Sequence, residues 1–206
     1  CRAFELDADN PPKYVPVDEQ HPLRATHAYS LSKELIERTA ASFARRGTLD
    51  TIVLRPTLIL RPVKVPEVVT ALNQLGEDQG ICTGAPPYNP EWLPTVRTYI
   101  SSRDAAAAFV AAALSDLCGH HVFIISAPDT LGGVKTLGLM ADMYGEGRPR
   151  VASEERYAQR PDASVLDSSA ITRAIGVYSD SSDSFGDHVV KNESKRWCNG
   201  RMGGAR

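Results

Sequence analysis

The chain has 206 residues, about 1.4 times the ~150 of a typical domain, which fits one domain or one with an appendage and excludes a large multidomain machine. Apolar residues at 42% and charged residues at 23% are ordinary for a globular protein, so a wholly disordered chain is also excluded. Lys plus Arg (23) against Asp plus Glu (25) leave a formal charge of −2. There is no basic, aromatic-interleaved stretch to track phosphates and no apolar run of the ~18 residues a membrane span needs, so neither nucleic acid nor membrane is an expected partner. Cys1, Cys82, Cys118 and Cys198 form no CxxC pair and follow no secretory leader. The expectation is reduced thiols, a cytoplasmic location, and neither a disulfide framework nor a zinc knuckle. Because residue 1 is Cys and the first methionine is Met140, a segment is expected to have been removed upstream.

In chain order, residues 1–28 carry Pro11, Pro12, Pro16 and Pro22 and read as a loop over a surface. From Tyr29 to Arg46, Leu31, Leu35, Ile36, Ala40, Phe43 and Ala44 recur at helical steps, and Gly47 stands where a left-handed cap ends a helix. Thr51–Arg55 is a β-branched run closed by Pro56, the pattern of a strand buried on both faces. Helix followed by strand indicates an α/β fold. A helix over about 67–75 and a long Gly- and Pro-rich loop over 76–95 follow, and loops of that length often serve a substrate. Next come a strand over 98–101, an Ala-rich helix capped by Ser102 or Asp104, a buried strand at Val122–Ile125, and helices at 136–144 and 168–175, the last stopped by Gly176. Residues 1–178 form the folded part. The Ser-, Asp- and Gly-rich stretch 179–206 reads as a disordered tail.

Tyr29 and Lys33 are four residues apart, so a phenol and an ammonium lie one above the other on one helix face. A free tyrosine titrates near 10. Acid/base work at neutral pH needs a downward shift of roughly three units, on the order of 4 kcal/mol, which a neighbouring cation can supply. Lys33 would retain donors for the hydroxyls of a cofactor's ribose. The plainer alternative is a solvated pair on a helix surface.

The segment VDEQHPLRATHAYSLSK (Val17 to Lys33), its helix, TIVLRPT (Thr51 to Thr57), RTYISSRDAAAAFVAAAL (Arg97 to Leu114) and HHVFIISAPDTL (His120 to Leu131) together resemble the NAD-dependent epimerase/dehydratase family, the extended short-chain dehydrogenases/reductases. The blocks occur in the family's order and cover about residues 12–145. The resemblance implies the C-terminal part of a Rossmann-type, doubly wound parallel sheet plus a small α/β substrate lobe, NAD or NADP as cofactor, and a homodimer. It implies Tyr29 as catalytic acid/base, and Lys33 as the residue that holds the ribose and poises the phenol. It places Pro56 and Thr57 beside the nicotinamide, and Arg97 on the diphosphate of a substrate such as a nucleotide sugar. Arg97 reads equally as a surface charge.

Two of the family's parts have no counterpart here. No G-x-x-G-x-x-G turn is present to hold a pyrophosphate, Gly145-Glu146-Gly147 being the nearest approach, and residues 1–25 contain no Ser or Thr to bind the reacting hydroxyl. Leu58 replaces a frequent Asn, and Ile59-Leu60-Arg61-Pro62 replaces a Tyr-Gly-Pro turn, which suits an apolar alcohol or ketone better than a sugar nucleotide. The rival expectation is a catalytically inactive remnant or dimerisation module of that family. His120 and His121 would point to opposite faces of a strand, so they do not chelate one metal.

Overall fold

Residues 4, 11–61, 97–146 and 149–176 are described by a computed structural model. The elements in chain order are β1 (Tyr14–Val15), α1 (Ala28–Arg45), β2 (Thr51–Pro56), β3 (Leu58–Leu60), β4 (Tyr99–Ser101), α2 (Ser102–Leu114), β5 (His120–Ile125), α3 (Thr136–Tyr144), β6 (Arg150–Val151), α4 (Glu154–Gln159) and α5 (Ser169–Ile175). The described strands pair as β1 with β6, β2 with β5 and β3 with β4, all parallel. The fold is therefore α/β, and the crossovers from β1 to β6 and from β2 to β5 contain helices. The expected helix over 67–75, the loop over 76–95 and the tail lie outside the described residues.

The longest pair, β2 with β5, runs from Thr51 opposite His120 to Pro56 opposite Ile125. Thr51 N–H donates to Gly119 O, and Thr57 N–H donates to Ile125 O. With a period of two, the odd-numbered amides of β2 face β5 and the even-numbered ones face away. Pro56 takes an outward position, where its missing N–H removes no ladder bond.

Two cores flank this pair. On one side Ile100, Ala105, Ala108, Phe123, Ile125 and Ile171 pack together, with Ile52 and Leu54 against them. The small side chains let α2 approach the strands closely. Ser101 caps α2, its Oγ accepting from Asp104 N–H at 3.0 Å and donating to the Asp104 carboxylate at 2.9 Å. This corrects the expected cap: neither Ser102 nor Asp104 occupies the capping position, because the helix begins at Ser102, directly after the strand, and the last strand residue serves as the cap.

The other core joins Phe4, Val15, Val17, Ile124, Leu139, Met140, Tyr157 and Leu166. Phe4, Val15 and Val17 are fully buried. The described part of residues 1–28 is therefore not merely a surface loop: its buried apolar residues are interspersed with prolines and evade any periodicity. Cys118 is disulfide-bonded, which corrects the expected reduced thiol at that position. The other three cysteines lie outside the described residues. No helix among the described residues is long and apolar enough to cross a membrane.

The packing of α1 differs from what its apolar periodicity suggests. Ser30 is its buried residue, and Glu34, Glu37, Ala40, Ala41 and Ala44 are half-buried beside it. These recur at three- and four-residue steps and form the stripe facing the sheet. Leu31, Leu35, Ile36 and Phe43 are exposed. The periodicity identifies the helix correctly, but the apolar stripe lies outward.

Candidate functional site

The helix α1 carries Tyr29 in its first turn and Lys33 one turn later. Lys33 Nζ stands 4.9 Å from the centroid of the Tyr29 ring, within cation–π range. Tyr29 is 59% exposed, and Lys33 is also exposed. At about 100° per residue, both lie on a flank of the helix between the sheet-facing stripe and the outward apolar one. Tyr29 is the most accessible of the tyrosines whose surroundings can be compared. Burial pushes Tyr14 up to about 12, helped by the hydrogen bond Tyr14 donates to Asp18. Burial likewise pushes Tyr157 up to about 12 and raises Tyr99, whose hydroxyl donates to Asp129. In all three, burial disfavours the phenolate.

Pro56 ends β2 and Thr57 follows it, at the C-terminal edge of a parallel strand pair. Ligands of open parallel sheets bind outside that edge. Thr57 is 7% exposed, and its Oγ1 has no hydrogen-bond partner among the described residues. A buried hydroxyl without a partner calls for an occupant or a water. Ser30 Oγ is in the same condition.

Arg97 is 6% exposed and so is not a surface charge. Its Nη1 donates to Leu131 O at 3.4 Å, its own carbonyl accepts from Leu131 N–H at 2.8 Å, and its backbone adopts φ +50°. Its guanidinium is thus tied to the turn after β5. His120 Nδ1 lies 2.8 Å from Thr51 Oγ1, while His121 Nε2 lies 2.9 Å from Cys118 O with its ring stacked on Phe123. Each ring has its own partner. No group of three metal-ligating side chains occurs among the described residues.

A polar network beneath α1 escapes sequence reading. Arg55 is 7% exposed. Its Nε donates to Glu37 Oε1 at 2.9 Å and its Nη2 to Glu37 Oε2 at 2.7 Å, a bidentate pair with Glu37 at 12% exposure. The third nitrogen, Nη1, donates to Glu19 O at 3.3 Å, and the guanidinium carbon stands 5.1 Å from the Phe4 ring centroid. Glu19 Oε1 accepts Ile124 N–H at 2.8 Å, on the edge of β5 away from β2. Burial raises the Glu19 carboxyl above the usual range, and the Ile124 amide opposes this. The available signal was an arginine inside an otherwise apolar strand and a glutamate one turn beyond Lys33.

His21 is buried beside the same loop. Its Nε2 accepts Lys13 N–H at 3.0 Å, and its Nδ1 lies 3.1 Å from Pro22 O. That pair of bonds fixes the neutral ring with its proton on Nδ1. Burial pushes its pKa below the ordinary histidine value.

No family model matches the sequence, and no curated protein matches it. Among solved structures, the chain is similar to a short-chain dehydrogenase/reductase superfamily protein from Agrobacterium tumefaciens with bound NAD, at 19% identity and a TM-score of 0.49. The match covers 83% of this chain, which spans 58% of the length of that one.

Proposed function

We propose that this chain contributes the acid/base half of an NAD(P)-dependent oxidoreductase site of the extended short-chain dehydrogenase type, within the C-terminal part of a Rossmann-type sheet. The observation that carries the reading is the Lys33 ammonium held 4.9 Å from the Tyr29 ring on an accessible helix flank. The order of the sequence blocks around that pair supports it. When bound, the nicotinamide supplies hydride transfer to or from a carbinol or carbonyl carbon.

In this reading Tyr29 Oη takes the proton of a substrate hydroxyl in oxidation and returns it in reduction. Lys33 stabilises the phenolate and donates to ribose hydroxyls. Thr57 Oγ1, buried and lacking a partner among the described residues, is a hydrogen-bonding group for the nicotinamide end. Arg97 is the candidate for an anionic group on the substrate. Leu58 favours an apolar alcohol or ketone over a nucleotide sugar, and epimerisation, dehydration and simple reduction all use the same Tyr–Lys step. The pyrophosphate has no glycine-rich cradle in this sequence. A second copy of the chain on the outward stripe of α1 would complete the assembly.

A second reading is a non-catalytic module of the same family. Calorimetric titration of NAD(H) and NADP(H) into the full chain separates the two. Micromolar binding, weakened at least tenfold by Lys33→Met, is the outcome expected of the oxidoreductase site. Absence of binding is the outcome expected of the module.

A further inference from the structure

We infer that Glu37 and Arg55 are positioning residues for the Tyr29–Lys33 pair, fixing the rotation of α1 on the sheet so that the pair keeps its flank. The inference rests on the oxidoreductase reading and adds to it two residues that act through the Tyr29–Lys33 pair.

Three observations carry it. Tyr29, Lys33 and Glu37 follow one another at four-residue steps, so each turn drifts about 40° and the ion pair sits about 80° around the axis from Tyr29. A helix rotation of one residue's worth, about 100°, would carry Tyr29 into the interface or swing it out to the apolar stripe. The rest of the interface opposes this less, since the other sheet-facing residues are Ser30, Glu34 and the small Ala40, Ala41 and Ala44, with a long hydrogen bond from Thr51 Oγ1 to Ala40 O at 3.4 Å. The bidentate Arg55–Glu37 pair does prevent it, because two parallel hydrogen bonds of 2.9 and 2.7 Å hold only in one relative orientation.

Arg55 is itself immobilised. Its third nitrogen is bonded to Glu19 O, its face lies against Phe4, and the Glu19 carboxylate is bonded to the Ile124 amide. Rotation of α1 is thereby referred to β5 through Glu19, Arg55 and Glu37. Buried charged pairs are best attested in setting register, and here the register is that of a helix carrying chemistry.

The test compares the full chain with Glu37→Gln and Arg55→Lys, which keep the side-chain lengths but remove the two-bond fork. Each is first shown to be folded by circular dichroism. Two readouts follow: the affinity for NADH and NADPH, and the rate of Tyr29 nitration by tetranitromethane, read by mass spectrometry. Folded variants should bind at least tenfold more weakly and nitrate Tyr29 at a rate changed at least threefold. Arg38→Gln, exposed on the same helix outside this network, should alter neither.

Unchanged affinity and unchanged nitration in a folded variant would overturn the positioning role while leaving the oxidoreductase reading intact. A wild-type chain that binds neither dinucleotide would count against that reading instead, and the nitration comparison would then decide the positioning role alone.

Discussion

The two helices α1 and α2 are held on the β2–β5 pair by different physics. On the α2 side, Ile100, Ala105, Ala108, Phe123 and Ile125 pack closely, and the attraction is apolar and without direction. On the α1 side, the contact is Ser30, small alanines and two glutamates, with the largest apolar side chains of the helix turned outward. Orientation there comes from a guanidinium fork on a carboxylate. A non-directional contact tolerates small rotations, whereas a fork does not. The helix that carries Tyr29 and Lys33 is the one held by the directional contact.

The largest expected effect breaks the fork and strands a charge. Arg55→Met should cost about 3–5 kcal/mol in denaturant unfolding, because Glu37 is left buried without its partner. Arg55→Met combined with Glu37→Leu should recover much of that loss, since an apolar pair of similar volume removes the stranded charge. Failure of the double variant to exceed Arg55→Met would sink the contrast between the two helices.

On the apolar side, Ile100→Ala should cost about 2–5 kcal/mol, the removed methylenes plus the cavity left behind, but should leave Tyr29 nitration unchanged in the folded fraction. A shift in that nitration rate would mean that the α2 side also sets α1.

The third effect concerns pH. His21 is neutral in the fold, with a pKa below its unfolded value near 6.5, so its contribution is fully present above about 6.5 and is lost as pH falls through the folded value. Protonation removes the Nε2 acceptor used by Lys13 N–H. Nearby Arg24 and Lys13 further disfavour the charged ring, and Asp18 partly offsets them. Between pH 7.5 and about 5, the wild-type chain should lose on the order of 1 kcal/mol more than His21→Gln, as read by thermal unfolding. Parallel pH profiles for the two proteins would contradict this.

The smallest effect is at Arg38, 73% exposed, which lies 2.7 Å from half-buried Glu34. Arg38→Ala should cost no more than a few tenths of a kcal/mol, decreasing with salt.

The stop signals in the sequence hold, whereas the expected cap of α2 was displaced to Ser101. Gly47 at φ +71° and Pro56 mark the ends of α1 and β2, and α3 spans 136–144 as its pattern indicates. The side on which α1 packs was not legible, because periodicity reports that a stripe exists and not which neighbour meets it. That choice depends on Arg55 and Glu37, 18 residues apart in sequence. The two-residue strands β1 and β6 escaped for a similar reason: each is too short for a period, and their pairing joins Tyr14 to Arg150. Of the site, Tyr29 and Lys33 were legible as a spacing, and the structure brings them together. Thr57 was legible by position only, and its buried hydroxyl is a property of packing that no local pattern announces.

The most direct test of the Tyr29–Lys33 assignment is chemical protection. The full chain is acetylated at its lysines with and without saturating NADH, and the labelling of Lys33 is compared by mass spectrometry with that of exposed Lys13. The account predicts that NADH slows acetylation of Lys33 at least tenfold and leaves Lys13 unchanged. Equal labelling of Lys33 in both conditions would contradict it.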